Sequence, residues 1–170
     1  MQITTSLCLV RHGETDWNAN GLTQGSTDIP LNNNGRRQAA DTGRLLAEER
    51  WDALVSSPLG RAKETAEIIG AHTGLSDIAL DSRLVERAFG RAEGMNVAER
   101  KSSFPDKIIP DAEAWDDVKA RALAAIEAIR LQYTGRRVIA VSHGGAILSL
   151  LAEITGGELG PGTITLENAG

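Results

Sequence analysis

Two histidines in this chain each stand just past an apolar run and directly before a glycine. His12 follows the run at 7–10 and precedes Gly13, and His143 follows a second run and precedes Gly144. A glycine beside each ring would let a ligand approach the backbone closely. Parallel sheets bind ligands beyond the carboxyl ends of their strands. The two histidines are therefore candidates for one shared ligand site.

Two arginines have comparable positions. Arg11 adjoins His12, and Arg61 falls in the opening turn of a predicted helix that follows another apolar run. If the sheet brings these strand ends together, two arginines and two histidines meet in a small volume. Such a cluster repels itself unless an anion lies at its centre. Because guanidinium groups offer several donors in a planar fork, and helix N-terminal amides can add more, the pattern predicts a phosphate pocket.

A histidine in that pocket has the chemistry to do more than bind. A neutral imidazole is a competent nucleophile towards phosphorus, and neighbouring arginines keep it neutral by depressing its pKa. The second histidine can donate to the equatorial oxygens, where charge accumulates during phosphoryl transfer. The leaving oxygen still needs a proton, which a carboxyl group would supply.

The apolar pattern alternates between strand-like and helix-like segments, and it predicts the elements that position these residues. We predict strands at 7–10, 52–56, 78–80, 137–142 and 163–166. We predict helices at 36–49 and 59–71, a helix that has Asp111 as its N-cap and ends at Gly135, and a helix at 146–154. Strands alternating with helices predict an α/β fold, a three-layer αβα sandwich around a mostly parallel central sheet.

Composition and charge limit the classes of partner. The chain has 170 residues, enough for one domain, and its net charge of -5 argues against sequence-independent binding of nucleic acid. The single cysteine allows no disulfide within the chain, and neither a membrane span nor a secretory signal is evident. We therefore expect a cytoplasmic protein with no nucleic-acid or membrane partner, and a symmetric homodimer is the default assembly.

Residues 9–18, Leu-Val-Arg-His-Gly-Glu-Thr-Asp-Trp-Asn, resemble the signature of the histidine phosphatase superfamily, in its phosphoglycerate mutase-like branch. Four further blocks continue the resemblance in order. They lie at 24–35, 56–66, 84–94 and 141–145. A lone Arg-His-Gly triplet would be a weak signal, whereas five ordered blocks along nearly the whole chain are specific.

The resemblance implies a role for each matching residue. His12 matches the nucleophile that becomes phosphohistidine, and Glu86 matches the proton donor, which later acts as the base for water. Arg11, Arg61 and His143 match the other catalytic members of the phosphate pocket. The phosphate and substrate contacts implied are Arg11, Asn18, Gln24, Gly25, Ser57, Arg61, His143 and Gly144. The family uses no metal or other cofactor for this chemistry.

Some assignments have competing interpretations. Glu14 and Glu93 lie in neighbouring motifs, so Glu86 rests on its motif match and not on its charge. A metal site is disfavoured, since no two histidines are close in sequence and the arginine beside His12 would repel a cation. Trp115 is predicted to be core packing on its helix.

The segment at 95–112 departs most from the family. It is polar and short, with a single helical turn expected, so we predict one histidine phosphatase domain over 1–170 with a small lid and an open pocket. A mutase must keep water away from its phosphohistidine, which needs a longer insertion. The sequence therefore favours a phosphatase acting on a small phosphorylated metabolite, a phosphomonoester. The alternatives are a cofactor-dependent phosphoglycerate mutase and a degenerate phosphate- or phosphopeptide-binding module, which would typically have lost a catalytic residue.

Overall fold

The computed structural model describes residues 4–170. Within that range the elements in chain order are β1 (Ser6–Arg11), α1 (Asp16–Ala19), α2 (Asn33–Leu46), β2 (Ala53–Ser56), α3 (Gly60–Thr73), β3 (Ile78–Leu80), α4 (Val97–Ser103), α5 (Trp115–Gln132), β4 (Arg137–Ser142) and α6 (Gly144–Ile154). Two 3₁₀ turns, Ser82–Leu84 and Gly90–Ala92, lie between β3 and α4. None of the helices in the described part of the chain is long and apolar enough to cross a membrane.

The four strands form one parallel sheet in the order β1-β4-β2-β3. The register places Arg11 at the end of β1 opposite Ser142 at the end of β4, and Ser56 at the end of β2 opposite Val141. Three adjacent strands therefore end at the same edge of the sheet. The predicted parallel sheet is confirmed.

Helices cover both faces of the sheet because the residues of β4 are apolar on both sides. Val138 and Ala140 pack in one cluster with Ile129 of α5. Ile139 packs in a second cluster with Ile69 of α3. Each fully buried aliphatic side chain of this size contributes about 1.5–3 kcal/mol. The predicted αβα sandwich is confirmed.

The strand predicted at 163–166 is wrong. Pro161 and Ile164 form only an isolated bridge, and Gly162 has a left-handed φ of 88°. The chain instead reaches the outer edge of β1 a few residues later. There the N–H of Arg11 donates to the carbonyl of Gly170 at 3.2 Å, and the N–H of Ala169 donates to the carbonyl of Arg11 at 2.9 Å.

The segment at 95–112 is more helical than predicted. Asn96 and Glu99 form a reciprocal capping box, which starts the seven-residue helix α4 in place of a single turn. The predicted N-cap at Asp111 is also wrong: its φ is 62°, and Ala114 occupies the N-cap position of α5. Both differences arise from backbone hydrogen bonding that hydrophobic periodicity does not report.

Trp115 is not core packing, because 43% of it is exposed. The guanidinium of Arg87 lies over its ring at 4.6 Å, and the ring edge of Phe89 is near, with centroids 6.2 Å apart. The buried residues of α5 lie in its later turns: Val118, Ala122, Ala125 and Ile129. Trp115, in the first turn, packs instead beside Arg87 and Phe89 of the loop that follows Glu86.

Candidate active site

The parallel register brings three polar segments together at one edge of the sheet. His12 follows β1, Ser57 follows β2 and His143 follows β4, and β4 lies between the other two strands. The N–H of His12 donates to the carbonyl of Ser142 at 3.0 Å, and the N–H of Ser57 donates to the carbonyl of Val141 at 2.9 Å. The backbone hydrogen bonding of the sheet thus continues one residue past the ends of β1 and β2, and it fixes the backbone at His12 and Ser57.

His12 is buried and held in one tautomer. Its Nδ1 lies 2.7 Å from the carbonyl oxygen of Gly13, an acceptor, so Nδ1 carries the proton and Nε2 keeps its lone pair. The loop is tightly packed: a Cβ on Gly13 would lie 2.4 Å from the carbonyl oxygen of Gly35. The N–H of Gly13 donates to the hydroxyl of Thr65 at 3.0 Å. The backbone therefore orients the ring with a nucleophilic nitrogen free.

The surroundings of His12 keep the ring neutral. Burial lowers its pKa most, the charges of Arg61 and then Arg11 lower it further, and the hydrogen bond to the Gly13 carbonyl opposes them, giving a pKa of about 3. At neutral pH the imidazole is unprotonated on Nε2. A nucleophile of this kind needs no separate base to activate it.

The low pKa of His12 predicts a pH-dependent stability. The unfolded histidine binds a proton near its ordinary pKa of 6.5, whereas the folded one does so only near 3. As the pH falls through that window, the unfolded state binds more protons, so the free energy of unfolding should fall by up to about 1.4 kcal/mol per pH unit from this residue. We expect the stability of wild type to decline relative to His12→Gln over the same range, measured by urea unfolding at each pH.

The difference between the two curves is the informative quantity, because the carboxylates common to both proteins cancel in it. This difference in the free energy of unfolding should be constant above a pH of about 6.5 and level off again below a pH of about 3. A difference that does not change between those limits would show that the pKa of His12 is near its ordinary value.

The two arginines of the cluster are held by backbone carbonyls. Arg61 is fully buried and donates to the carbonyls of Thr27 at 2.8 Å and Gly25 at 2.7 Å. Arg11 donates to the carbonyl of Leu166 at 2.7 Å. The Nε atoms of both are buried and find no acceptor among residues 4–170. Each guanidinium therefore keeps a donor for an anion while its other donors fix its position.

His143 lies behind His12. Their ring centroids are 5.1 Å apart, and Nε2 of His143 is 2.8 Å from the hydroxyl of Ser57. Its Nδ1 is buried and meets no hydrogen-bond partner in the described part of the chain. Burial and then the charge of protonated His12 hold the pKa of His143 well below its usual range. With Ser57 donating to Nε2, the neutral ring can donate from Nδ1.

A cavity of about 190 Å³ opens at this end of the sheet. Its volume is below the roughly 300–1,000 Å³ of sites for drug-sized ligands, so it suits a small molecule. Its lining comprises Arg11, His12, Asn18, Thr23, Gln24, Gly25, Arg61, Glu86, Phe89 and Arg100. Seven of these are residues that the sequence predicted for the site.

Three predicted contacts do not line the cavity. Ser57 and His143 are fully buried, with Ser57 supporting the ring of His143. Gly144 lies beside Arg11, where an added Cβ would be 3.4 Å from Nε. Ser57 and Gly144 therefore contact residues of the site, whereas His143 keeps Nδ1 without a partner in the described part of the chain, next to His12.

The carboxylate of Glu86 lies at the N-terminus of α6. Its oxygens accept the N–H groups of Gly145 at 2.9 Å, Ala146 at 3.1 Å and Arg87 at 2.8 Å. A Cβ on Gly145 would lie 2.5 Å from Oε1, so a larger residue there would displace the carboxylate from its place. Three amides thus aim one carboxyl group at the cavity.

The other two candidate carboxylates, Glu14 and Glu93, form hydrogen bonds outside the cavity. Glu14 accepts from the side-chain amide of Asn32 at 2.9 Å. Glu93 accepts from the loop at Ser26 and Thr27; burial alone would raise its pKa, but these hydrogen bonds outweigh burial and lower it. Neither residue lines the cavity, so the geometry favours Glu86 as the acid.

Sequence reasoning missed three lining residues, Thr23, Phe89 and Arg100. The Arg100 guanidinium lies 6.0 Å from the Phe89 ring centroid, and its Nη1 is 3.4 Å from the hydroxyl of Thr23. Phe89 stands within the quoted block at 84–94 and Thr23 adjoins the block that begins at Gln24, which was a usable signal. Arg100 carried none, because its place in the cavity depends on how α4 packs.

Groups of three or more His, Cys, Asp or Glu side chains suited to holding a metal ion do not occur among residues 4–170. The polar groups that converge on the cavity are instead mostly donors. Their chemistry is that of an anion site.

Comparisons with known proteins agree with this geometry. The model of the histidine phosphatase superfamily (branch 1) matches residues 7–170. A Bacillus subtilis protein named uncharacterized phosphatase PhoE is 46% identical over 154 residues, covering 91% of this chain and 79% of that protein. The probable phosphoglycerate mutase GpmB of Escherichia coli is 37% identical over 159 residues, covering 87% and 74% respectively.

A solved structure supports the same assignment. The mycobacterial glucosyl-3-phosphoglycerate phosphatase in complex with VO3 superimposes with a TM-score of 0.86 at 30% identity, covering 96% of this chain and 87% of that one. The predicted phosphoglycerate mutase-like fold and, at the level of the family, the predicted phosphomonoester hydrolase class are confirmed. This chain belongs to the histidine phosphatase superfamily, branch 1.

Proposed function

We propose that this chain is a metal-independent phosphatase that hydrolyses a small phosphomonoester through a phosphohistidine on His12. The observation that carries the proposal is the state of His12. Its Nδ1–H donates a hydrogen bond to the Gly13 carbonyl, and its pKa is about 3. Nε2 therefore offers a lone pair at neutral pH. The surrounding donors make the cavity a site for the phosphoryl group.

The phosphoryl group is bound by donors that have no other partner. Nε of Arg11, Nε of Arg61 and Nδ1 of His143 are buried without acceptors within residues 4–170. Three such donors are costly to bury and are satisfied by the oxygens of one tetrahedral anion. They stabilise the charge that builds on those oxygens in the transition state.

The first step forms the bond from Nε2 of His12 to phosphorus and breaks the bond from phosphorus to the ester oxygen. Glu86 acts as the general acid that gives a proton to that leaving oxygen, and the alcohol departs. In the second step the Glu86 carboxylate takes a proton from water, whose oxygen attacks phosphorus. The bond to Nε2 breaks, its electron pair returns to the nitrogen, and inorganic phosphate is released.

Metal independence follows from the charges around the nucleophile. Arg11 and Arg61 already lower the pKa of His12, and the same positive field would repel a bound cation. The two guanidinium groups supply the charge stabilisation that metal ions give in other phosphoryl-transfer sites.

The second candidate is a phosphoglycerate mutase, because a relative carries that name. The only helix within 95–112 is the seven-residue α4. Arg100 of this helix is one of the residues that line the cavity. A cover this small favours access of water to the phosphohistidine, and hence hydrolysis. A binding module is disfavoured, since His12, Glu86, Arg61 and His143 are all present.

The test follows the fate of the phosphoryl group. With a labelled bisphosphoglycerate and excess monophosphoglycerate, in buffer containing a metal chelator, we expect the label to appear as free phosphate. Transfer of most label to the monophosphoglycerate would favour the mutase. Loss of activity in chelator that returns with added metal would contradict metal independence, and the absence of any label release from these or from a panel of phosphomonoesters would favour the binding module.

A further inference from the structure

The C-terminal segment contacts the nucleophile loop from outside the cavity. The side-chain Nδ2 of Asn168 donates to the carbonyl of His12 at 3.1 Å and to Oδ1 of Asn18 at 3.3 Å. The N–H of Ala169 also donates to the His12 carbonyl, at 3.2 Å. These partners are about 150 residues apart in the chain. None of the motifs discussed so far assigns a role to Asn168.

The orientation of the Asn18 side chain decides what it offers the cavity. Asn18 lines the cavity, and its amide can present either an oxygen, which repels phosphate, or an NH2 group, which binds it. The backbone N–H of Thr15 lies 3.2 Å from Oδ1 and can only donate. Asn168 adds a second donor to the same oxygen.

The direction of the Asn168 amide is fixed in turn. The carbonyl of His12 can only accept, so the atom of Asn168 facing it must be the NH2 group. That same NH2 group reaches Oδ1 of Asn18. The Thr15 hydroxyl, 3.1 Å from Oδ1, can donate to the same oxygen. Because the N–H of Thr15 and the NH2 group of Asn168 both donate to Oδ1, the Nδ2 of Asn18 is turned away from them, and no acceptor within residues 4–170 engages it.

We infer that Asn168 is a positioning residue: it sets the amide of Asn18 so that its NH2 group faces the phosphoryl group, while holding the His12 carbonyl. The inference rests on the proposed function, because it assumes that the cavity takes a phosphoryl group. Its distinctive consequence is that Asn168 acts through Asn18, so the two side chains must be energetically coupled.

A double-mutant cycle tests this coupling. We expect Asn168→Ala to lower kcat/KM for an aryl phosphate by about tenfold, the scale of one charge-assisted hydrogen bond. In an Asn18→Ala background the same change should have less than about a twofold effect, since no Asn18 amide remains to be oriented and the His12 carbonyl keeps its bond from the N–H of Ala169. Thr165→Ala, an exposed position in the same segment, serves as the matched control and should leave kcat/KM unchanged.

A second variant keeps the shape and reverses the donor. Asn168→Asp places acceptors against the His12 carbonyl and Oδ1 of Asn18, so the Asn18 amide should rotate and turn its oxygen to the cavity. We expect a larger loss than Asn168→Ala in the wild-type background, and most of the difference between the two variants should disappear in the Asn18→Ala background, where only the contact with the His12 carbonyl remains. This variant also preserves packing, which covers the case in which the alanine variant fails to fold.

Equal fold-losses for Asn168→Ala in both backgrounds, or no loss in either, would overturn the inference. The same cycle should be run on the Kd for inorganic phosphate, measured by calorimetry. If the wild-type chain binds phosphate but hydrolyses no phosphomonoester, the proposed function fails while the coupling in Kd still decides the role of Asn168.

Discussion

Replacing His12 with alanine should lower kcat by at least about 10⁴-fold, because loss of a covalent nucleophile removes the pathway and not one contact within it. His12 is 2% exposed, and its Nε2 is the nitrogen that we propose accepts the phosphoryl group. The measurement is the steady-state hydrolysis of an aryl phosphate. The variant should remain folded, since the loop keeps its bonds from the backbone N–H of His12 to Ser142 and from Gly13 to Thr65.

The matched control is His72→Ala. His72 lies in the last turn of α3, is exposed, and does not line the cavity. It should retain wild-type kcat within about twofold, since changes at exposed sites away from special features have small effects. Near-normal turnover by the His12 variant would show that water attacks the substrate directly and that no phosphohistidine forms.

Trapping gives a direct readout of the same step. Brief mixing with substrate, followed by quenching without acid, should leave one acid-labile phosphoryl group on the wild-type chain and none on His12→Ala. Peptide mapping should locate it at His12. A phosphoryl group on another side chain would contradict the assignment of the nucleophile.

Replacing Glu86 with glutamine should have the next largest effect, and its size should depend on the leaving group. Loss of a general acid costs typically 10²–10⁴-fold. We expect a loss of about 10³-fold in kcat/KM for an alkyl phosphate, whose alkoxide leaves poorly without a proton. For an aryl phosphate with an acidic phenol the loss should be less than about tenfold, because that group leaves as an anion.

Glutamine preserves the shape of the side chain and keeps an oxygen for one of the two amides, Gly145 and Ala146, which donate to different oxygens of Glu86. Glu14→Gln is the matched control: its carboxylate binds Asn32 and lies outside the cavity, so both substrates should react as in wild type. Equal losses on both substrates for Glu86→Gln would mean that Glu86 positions other groups and gives no proton to the leaving oxygen.

The sequence was sufficient for the fold class and for most of the site. The sequence contains short apolar runs that precede His-Gly or a helix containing Arg61. These runs predict parallel strands that end at one edge of the sheet, and the register confirms that arrangement. The signals were local: a buried strand needs a continuous apolar run, and a ligand loop follows it directly. Such patterns are visible in a single sequence because neighbouring residues serve one element.

The tertiary structure decided the features that depend on contacts between distant segments. The resemblance favoured Glu86 over Glu14 and Glu93, but only the structure shows that its carboxylate reaches the N-terminus of α6 while the other two bind elsewhere. The expected strand at 163–166 failed for the same reason, because residues 169–170 bind the edge of β1 in its place.

Arg100 and Asn168 show the same limit most clearly. One reaches the cavity from α4, and the other holds Asn18 from the far end of the chain. Their sequence neighbours show no periodicity or motif that predicts these positions. A hydrogen bond between residues 150 apart is set by how the layers pack. Local sequence therefore determined the candidate reacting residues. Packing between distant segments determined which guanidinium, amide and carboxyl groups lie beside them.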